Sequence, residues 1–563
     1  MMRLLALSSV SAGRLLHGLR AAARQWPAAL GLAALILTAA CAPDAEQPAA
    51  RGEGETPAVY GDTILFGSGA DAVNLLPVLA SDATSSSING LLYNGLVRYG
   101  KNLEIEGDLA ESWEISQDHL TLTFHLRKGI KWHDGTPFTA ADVLFTYRLY
   151  VDPKTPTAYA ERYRQVERAA APDPYTFVVT YAKPLASALS SWALDIHPRH
   201  LLEGVEITKS PLSAAPIGTG PFVFREWRRG ERIVLEANPD YYEGRPHLNR
   251  VVFRVVPDPT TMFLELQTGG IDQMGLTPLQ YARQTDSANF RRNFRKYRYP
   301  AMAYTYLGFN LRKPLFQDKR VRQAISYAID REEIVQGVLL GLGRTATGPY
   351  VPGTWPYNPE VRKYPYDPEK ARELLGQAGW QDRDGDGLLD REGRPFSFTI
   401  VTNQGNDQRI KCGEIIQRRL KEVGIEVRLR VIEWASFLKE FINPGNFEAT
   451  LLGWTVPVDP DGYNVWHSSK TGVGQLNFIH FNHAEADDLL ERGRRTLDEE
   501  ERKAIYGRFQ EILAEEQPYA FLYVPDALPV VAARFRGIEP APVGIMHNFI
   551  RWHVPESEWK YRR

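Results

Sequence analysis

The densest group of residues able to do chemistry lies at 454–467, where Trp454, Asp459, Asp461, Tyr463, Trp466 and His467 follow the apolar pair Leu451 and Leu452. Aromatic faces stack on organic ligands and carboxylates take their cations and donors, so this mixture suits the wall of a binding cleft. A core tryptophan followed by a Pro/Asp/Gly turn reads the same residues equally simply, and both readings stay open. A second group, Asp382, Asp384, Asp386 and Asp390 with Gly387 at the sixth place, matches the first nine positions of a calcium loop. The twelfth position is Gly393 instead of the bidentate glutamate, so an Asp/Gly turn is the simpler reading and a weak calcium site the alternative. His480 and His483 have no neighbouring cysteine or paired carboxylate, which argues against a transition-metal site.

Catalytic signatures are missing. There is no Gly-x-Ser-x-Gly elbow, no His-Glu-x-x-His helix and no phosphate-binding Gly-x-x-x-x-Gly-Lys-Ser/Thr loop. Gly341, Gly343 and Ala346 have dinucleotide-turn spacing but follow a helical segment, 331–340, where a strand is required. No cofactor is expected. Ser85 and Ser86 precede an expected helix at 88–96, whose first amides and hydroxyls would suit a carbonyl or anionic group, or would only cap the helix.

The elements that must position these residues alternate between helix and strand. Residues 120–126 and 426–431 alternate as half-buried strands do. Cys412, Ile416, Leu420 and Val423 share one helical face that Gly424 ends, so Cys412 reads as a core thiol. Asp498 and Glu501 open a helix over 499–516 with Ile505, Phe509, Ile512 and Leu513 inward, and strand signals follow at 520–524. The class is α/β.

The chain has 563 residues, enough for two to four domains, and a balanced composition that excludes disorder and disulfide scaffolds. Lys+Arg 66 against Asp+Glu 68 gives no electrostatic case for nucleic acid. Residues 1–40 hold four arginines, no acid and the apolar run 28–37, which reads as an export signal too short to span a bilayer. Its removal changes the net charge from −2 to −6. Cys41 then stands where a lipid-anchored protein is acylated, with Thr38 in place of the usual leucine, and 42–57 reads as a tether.

Several ordered segments resemble the bacterial extracellular solute-binding proteins of the dipeptide, oligopeptide and nickel class, which feed ABC importers. They include 109–114, 133–143, 218–222, 238–242, 318–331, 366–375 and 518–523. The resemblance implies a two-lobed periplasmic binding protein fold (type II) with an extra domain. Lobe I would combine 58–92, 205–303 and 528–563, the extra domain would be 93–204, and lobe II would be 304–527, with crossovers near 304–310 and 521–528. It implies no catalysis, a peptide or related solute bound between the lobes, separate permease and ATPase chains, and a lipid-anchored periplasmic location. Sugar, opine or metal-chelate binding is the alternative; a secreted hydrolase or a calcium-stabilised structural lipoprotein is more remote. The cleft contacts it implies are Trp454, Asp459, Asp461, Tyr463, Trp466, Asn403, Ser85, Ser86 and Tyr306. Two departures stand out. The aspartate that peptide binders of this class carry three places after the tryptophan is Pro457, and the carboxylate-binding arginine of dipeptide binders aligns with Asn403, with Arg409 nearby. A longer or blocked peptide, or a non-peptide solute, therefore fits better than a free dipeptide.

Overall fold

The computed structural model describes residues 59–561, except Ser81, Ala158, Glu161, Arg162 and the side chain of Ala435. The expected export signal, Cys41 and the tether lie outside the described residues.

Two seven-stranded sheets organise the chain. The first has the order Phe294–Lys296, Pro529–Ala532, Gln273–Gly275, Thr63–Ser68, Arg250–Val255, Arg232–Ala237, Phe222–Arg228. Strand Thr63–Ser68 is parallel to both its neighbours, and Pro529–Ala532 runs against Gln273–Gly275 with Pro529 opposite Gly275. Ile64, Phe66 and Val251 pack with Ile88 and Leu92 of helix Ala83–Leu92, while Met274 and Val530 pack with Met262 and Leu266 of helix Pro259–Thr268.

The second sheet runs Tyr299–Pro300, Tyr519–Ala527, Ala303–Phe309, Ala449–Thr455, Ser397–Asn403, Glu426–Ile432, with Gly343–Thr345 added to Tyr519–Ala527. Ser397–Asn403 is parallel to both neighbours, and Ala303 lies opposite Thr455. The expected crossover at 304–310 is instead a central strand. Leu307 and Phe309 enter one core and Tyr304 and Tyr306 another, and both edges are paired, so the segment is rigidly part of this sheet. The chain passes between the sheets just before it, at 297–298, and again at Leu528.

These two passages fix where a ligand can sit. Pro529 marks the passage end of the first sheet, and Gly275, Ser68 and Val255 lie at that same end. Ala303 marks it in the second, together with Thr455, Asn403 and Ile432. The carboxyl ends of the parallel strands in both sheets therefore flank one gap, the usual ligand position for α/β sheets.

A third layer consists of the four-stranded sheet Ala110–Ile115, Thr121–Leu126, Thr176–Tyr181, Val166–Asp173 and helix Ala140–Val151. Its core of Phe124, Phe177, Trp132 and Trp192 also takes Leu76, Val78, Ile207 and Leu212 from outside 93–204. His133 ties this layer to the first sheet: its Nδ1 accepts from Gly218 N–H at 3.1 Å and its Nε2 lies 3.1 Å from the Gly220 carbonyl. A Cβ on Gly218 would fall 1.8 Å from the Leu92 carbonyl oxygen, so this close backbone approach requires glycine.

Local signals place the elements that carry the site. Asn406 Oδ1 accepts from Arg409 N–H at 3.0 Å and starts helix Asp407–Glu422, earlier than its apolar stripe alone suggests, and Gly424 at φ +82° ends it. Asp498 accepts from Glu501 N–H at 2.8 Å and starts helix Glu499–Glu516. The expected helix at 88–96 runs from Ala83 to Leu92, because Asp82 caps it at Ser85 N–H, upstream of the hydroxyl residues.

Candidate functional site

Trp454 is the penultimate residue of strand Ala449–Thr455, at the gap. Its ring stacks on Phe478 at 5.9 Å and its Nε1 donates to Tyr519 Oη at 3.3 Å, which leaves it half-buried. Beyond it, Pro457, Pro460 and Tyr350 line a cavity of about 70 Å³, room for two or so waters. Trp466 is not part of an open wall. It is 2% exposed and packed against Tyr519, Phe481 and Phe509. Tyr306 is also core: fully buried, with its ring 3.7 Å from that of Tyr519. Both follow from the alternation of a strand or short helix whose aromatic face closes lobe II.

The two acids expected to meet a ligand cation already have partners. Asp459 receives Arg502 Nη2 on both carboxylate oxygens, at 3.2 and 3.1 Å. Asp461 lies 3.0 Å from Arg494 Nε and accepts from Tyr463 N–H at 3.1 Å. Burial pushes the Asp461 carboxyl up, with Arg494 opposing. Tyr463 is sandwiched, 4.2 Å from the His467 ring with the Arg494 guanidinium 4.4 Å over its face. Helices Ala484–Arg495 and Glu499–Glu516 bring Arg494 and Arg502 in from 33 and 43 residues away in sequence. Asp459, Asp461 and Tyr463 thus form an internally neutralised brace, and both acids also line the small cavity beside Trp454.

Asn403 closes strand Ser397–Asn403 at the gap, and its Oδ1 accepts from Arg409 Nη1 at 2.9 Å. Arg409 is the residue that spacing alone undersold. It falls three residues before Cys412 on the inward stripe of its helix, a cation where an apolar residue is expected. No carboxylate pairs with it among the described residues, and its Nε is buried without a partner. Burial lowers its basicity, with Tyr523 and Tyr306 opposing. Gly453 makes its room, since a Cβ there would lie 2.8 Å from Arg409 Nη2. Trp434, two residues past strand Glu426–Ile432, is another aromatic at this edge and is 48% exposed; an isolated tryptophan between Glu433 and Ala435 gives no periodic signal.

On lobe I, Ser85 is fully buried and its Oγ accepts from Val73 and Asn74 N–H, so it fixes a loop instead of facing the gap. Ser86 is exposed and lines a cavity of about 500 Å³ at the carboxyl ends of the first sheet's strands.

Asp382, Asp384 and Asp386 converge, with carboxylate oxygens within 4.8 Å of one another, on an exposed turn. Asp390 does not join them. It accepts from Arg383 N–H, and its carboxylate lies 3.7 Å from that residue's guanidinium. Asp382 accepts from Gly385 and Gly387 N–H at 2.8 and 3.1 Å, bonds that make the turn in any case. Cys412 is fully buried, and burial pushes its thiol up, which keeps it unreactive.

Two lobes, two passages and one shared gap define the geometry that known proteins can be compared with. A family model described as bacterial extracellular solute-binding proteins, family 5 (middle region), matches residues 104–475. The chain belongs to this family. It is 34% identical over 531 residues to the oligopeptide-binding protein AppA of Bacillus subtilis (strain 168), covering 92% of this chain and 96% of that one. It is 29% identical over 544 residues to heme-binding protein A of Haemophilus influenzae, covering 91% and 96%. The solved structure of Bacillus subtilis AppA in complex with a nonapeptide matches with a TM-score of 0.80 at 33% identity, covering 88% of this chain and all of that one. Membership makes this a two-lobed, non-catalytic solute-binding component of an ABC importer, working outside the cytoplasm. No helix among the described residues is long and apolar enough to cross a membrane.

Proposed function

We propose that this protein captures oligopeptides between its lobes and hands them, uncleaved, to a permease driven by a separate ATPase. The observation that carries this reading is the charge pattern of the lobe II wall. Both acids that could hold a ligand ammonium are engaged by Arg502 and Arg494, and Pro457 supplies none. A ligand recognised without its free amino terminus must be held through its backbone and side chains, which favours a longer peptide. The likeness to AppA, solved with a nonapeptide, supports the same class. Arg409, having no acid of its own, would receive a carbonyl or carboxylate of the ligand, and Trp454 and Trp434 would stack on it. Closure of the lobes at 297–298 and 528 would favour the ligand-bound shape. Cys41 would carry lipid and hold the protein at the membrane surface.

Native mass spectrometry of protein purified from the exported fraction reads the cargo directly, and the intact mass reads any acyl chains on Cys41. Thermal shifts with free and N-acetylated forms of the same oligopeptides should be equal within about 1 °C. Stabilisation that requires a free amino terminus, or that comes only from sugars, opines or metal chelates, would overturn the proposal.

A further inference from the structure

The cavity on lobe I has a chemistry that lobe II lacks. It occupies about 500 Å³ at the passage end of the first sheet, within the roughly 300–1,000 Å³ typical of small-ligand pockets. Phe66 and Phe253 form its floor with rings stacked at 5.2 Å, and Leu91 and Met546 form its sides. Met546 is 40% exposed, an apolar side chain left facing water at the gap. None of the lining residues is ionisable.

Its polar rim is uncharged. Ser68 Oγ donates to the Ala70 carbonyl at 2.6 Å, Ser86 Oγ to the Asp82 carbonyl at 2.9 Å, and Ser87 Oγ to the Ala83 carbonyl at 2.8 Å. Each of these three hydroxyl protons is therefore committed. Thr84 and Gln273 supply the other polar groups, both neutral. A carboxylate entering here would give up hydration and meet no cation among the lining residues, whereas an apolar group loses nothing.

Gly90 lies inside helix Ala83–Leu92 and lines the cavity. It has no positive φ, and a Cβ built on it meets nothing within 4 Å. Neither backbone conformation nor packing demands glycine there, although glycine is the poorest helix former after proline. What its missing side chain provides is space.

We infer that this cavity is a specificity pocket for one bulky, uncharged apolar side chain of the ligand, kept open by Gly90. The inference builds on the oligopeptide reading and adds to it which residues the ligand must carry. The test uses Gly90→Phe, which fills the pocket, and Gly90→Ala, which barely enters it. Both substitutions favour the helix, so loss of folding is not expected, and thermal denaturation checks this. Nonapeptides identical except for Phe, Ala or Asp at one position, scanned along the chain, are titrated against each protein.

At one position the wild type should bind the Phe peptide at least tenfold more tightly than the Ala peptide, and the Asp peptide most weakly. Gly90→Phe should erase that preference by weakening the Phe peptide to the level of the Ala peptide, and Gly90→Ala, which adds one methyl, should narrow it by less. A preference that survives Gly90→Phe overturns the pocket. The neutral apolar fluorophore N-phenyl-1-naphthylamine separates the two readings. If wild type binds none of the peptides yet brightens the dye and Gly90→Phe does not, the pocket stands as an apolar site and the oligopeptide reading falls. If the dye responds equally in both proteins, the pocket falls.

Discussion

Replacing Asp459 by alanine should damage the fold and leave the ligand nearly untouched. The Asp459 and Arg502 side chains are 18% and 10% exposed and are joined by two contacts of 3.1 and 3.2 Å. Removing the carboxylate strands a guanidinium that keeps one backbone partner, the Gly493 carbonyl at 3.1 Å, and lies over the rings of Trp355 and Tyr506. Breaking a buried pair from one side costs about 3–5 kcal/mol, and the residual exposure here points to about 3. Removing both charges is much cheaper, because no uncompensated ion remains, so Asp459→Leu/Arg502→Met should recover all but about 1 kcal/mol. Urea unfolding at pH 7 measures the stabilities, and calorimetric titration with a bound oligopeptide measures affinity, which should stay within threefold in both variants. A tenfold loss of affinity in Asp459→Ala with unchanged stability would refute the argument and return this carboxylate to the ligand. So would a double variant no more stable than the single one.

Two further outcomes follow from individual contacts. Gly453→Ala should cost about 1–3 kcal/mol in urea unfolding, since its Cβ would lie 2.8 Å from both Arg409 Nη2 and the Tyr304 carbonyl oxygen, one of which is rigid backbone; an unchanged midpoint would refute this close approach. His197 is fully buried, accepts from Val78 N–H and is pushed down to about 3 by burial, with a backbone bond to Asp195 opposing. Its folded value lies below its unfolded one, so the folded state binds fewer protons, and stability present above about pH 6.5 is lost as pH falls. The stability difference between wild type and His197→Gln should therefore narrow by about 2 kcal/mol from pH 7 to pH 5, against unfolding curves at both values; a constant difference would refute neutral burial.

The sequence carried further on local elements than on contacts. Helix Glu499–Glu516 was readable because Asp498, Glu501 and the Ile505/Phe509/Ile512/Leu513 stripe agree on its start and buried face. Strand Thr121–Leu126 was readable because its alternation is strict. The site was legible only as a region. The 454–467 run does reach the gap at Trp454, yet Trp466 is buried and both acids are held by arginines. The same types of residue build a wall and its brace, and composition does not tell them apart.

What this chain determines by itself is where its helices and strands begin and end, through caps, stripes and glycines that act within a few residues. It also carries Pro457 and Asn403 where the resemblance implies the charged clamps of short-peptide binders. Tertiary structure alone decided that Arg502 and Arg494 pair with Asp459 and Asp461, that Arg409 has no acidic partner among the described residues, and that Phe66, Gly90, Phe253 and Met546 meet around one cavity. Each of these depends on groups tens to hundreds of residues apart. Charge neutralisation and apolar enclosure are properties of distance in space, and spacing along a chain does not encode distance until the sheets are paired.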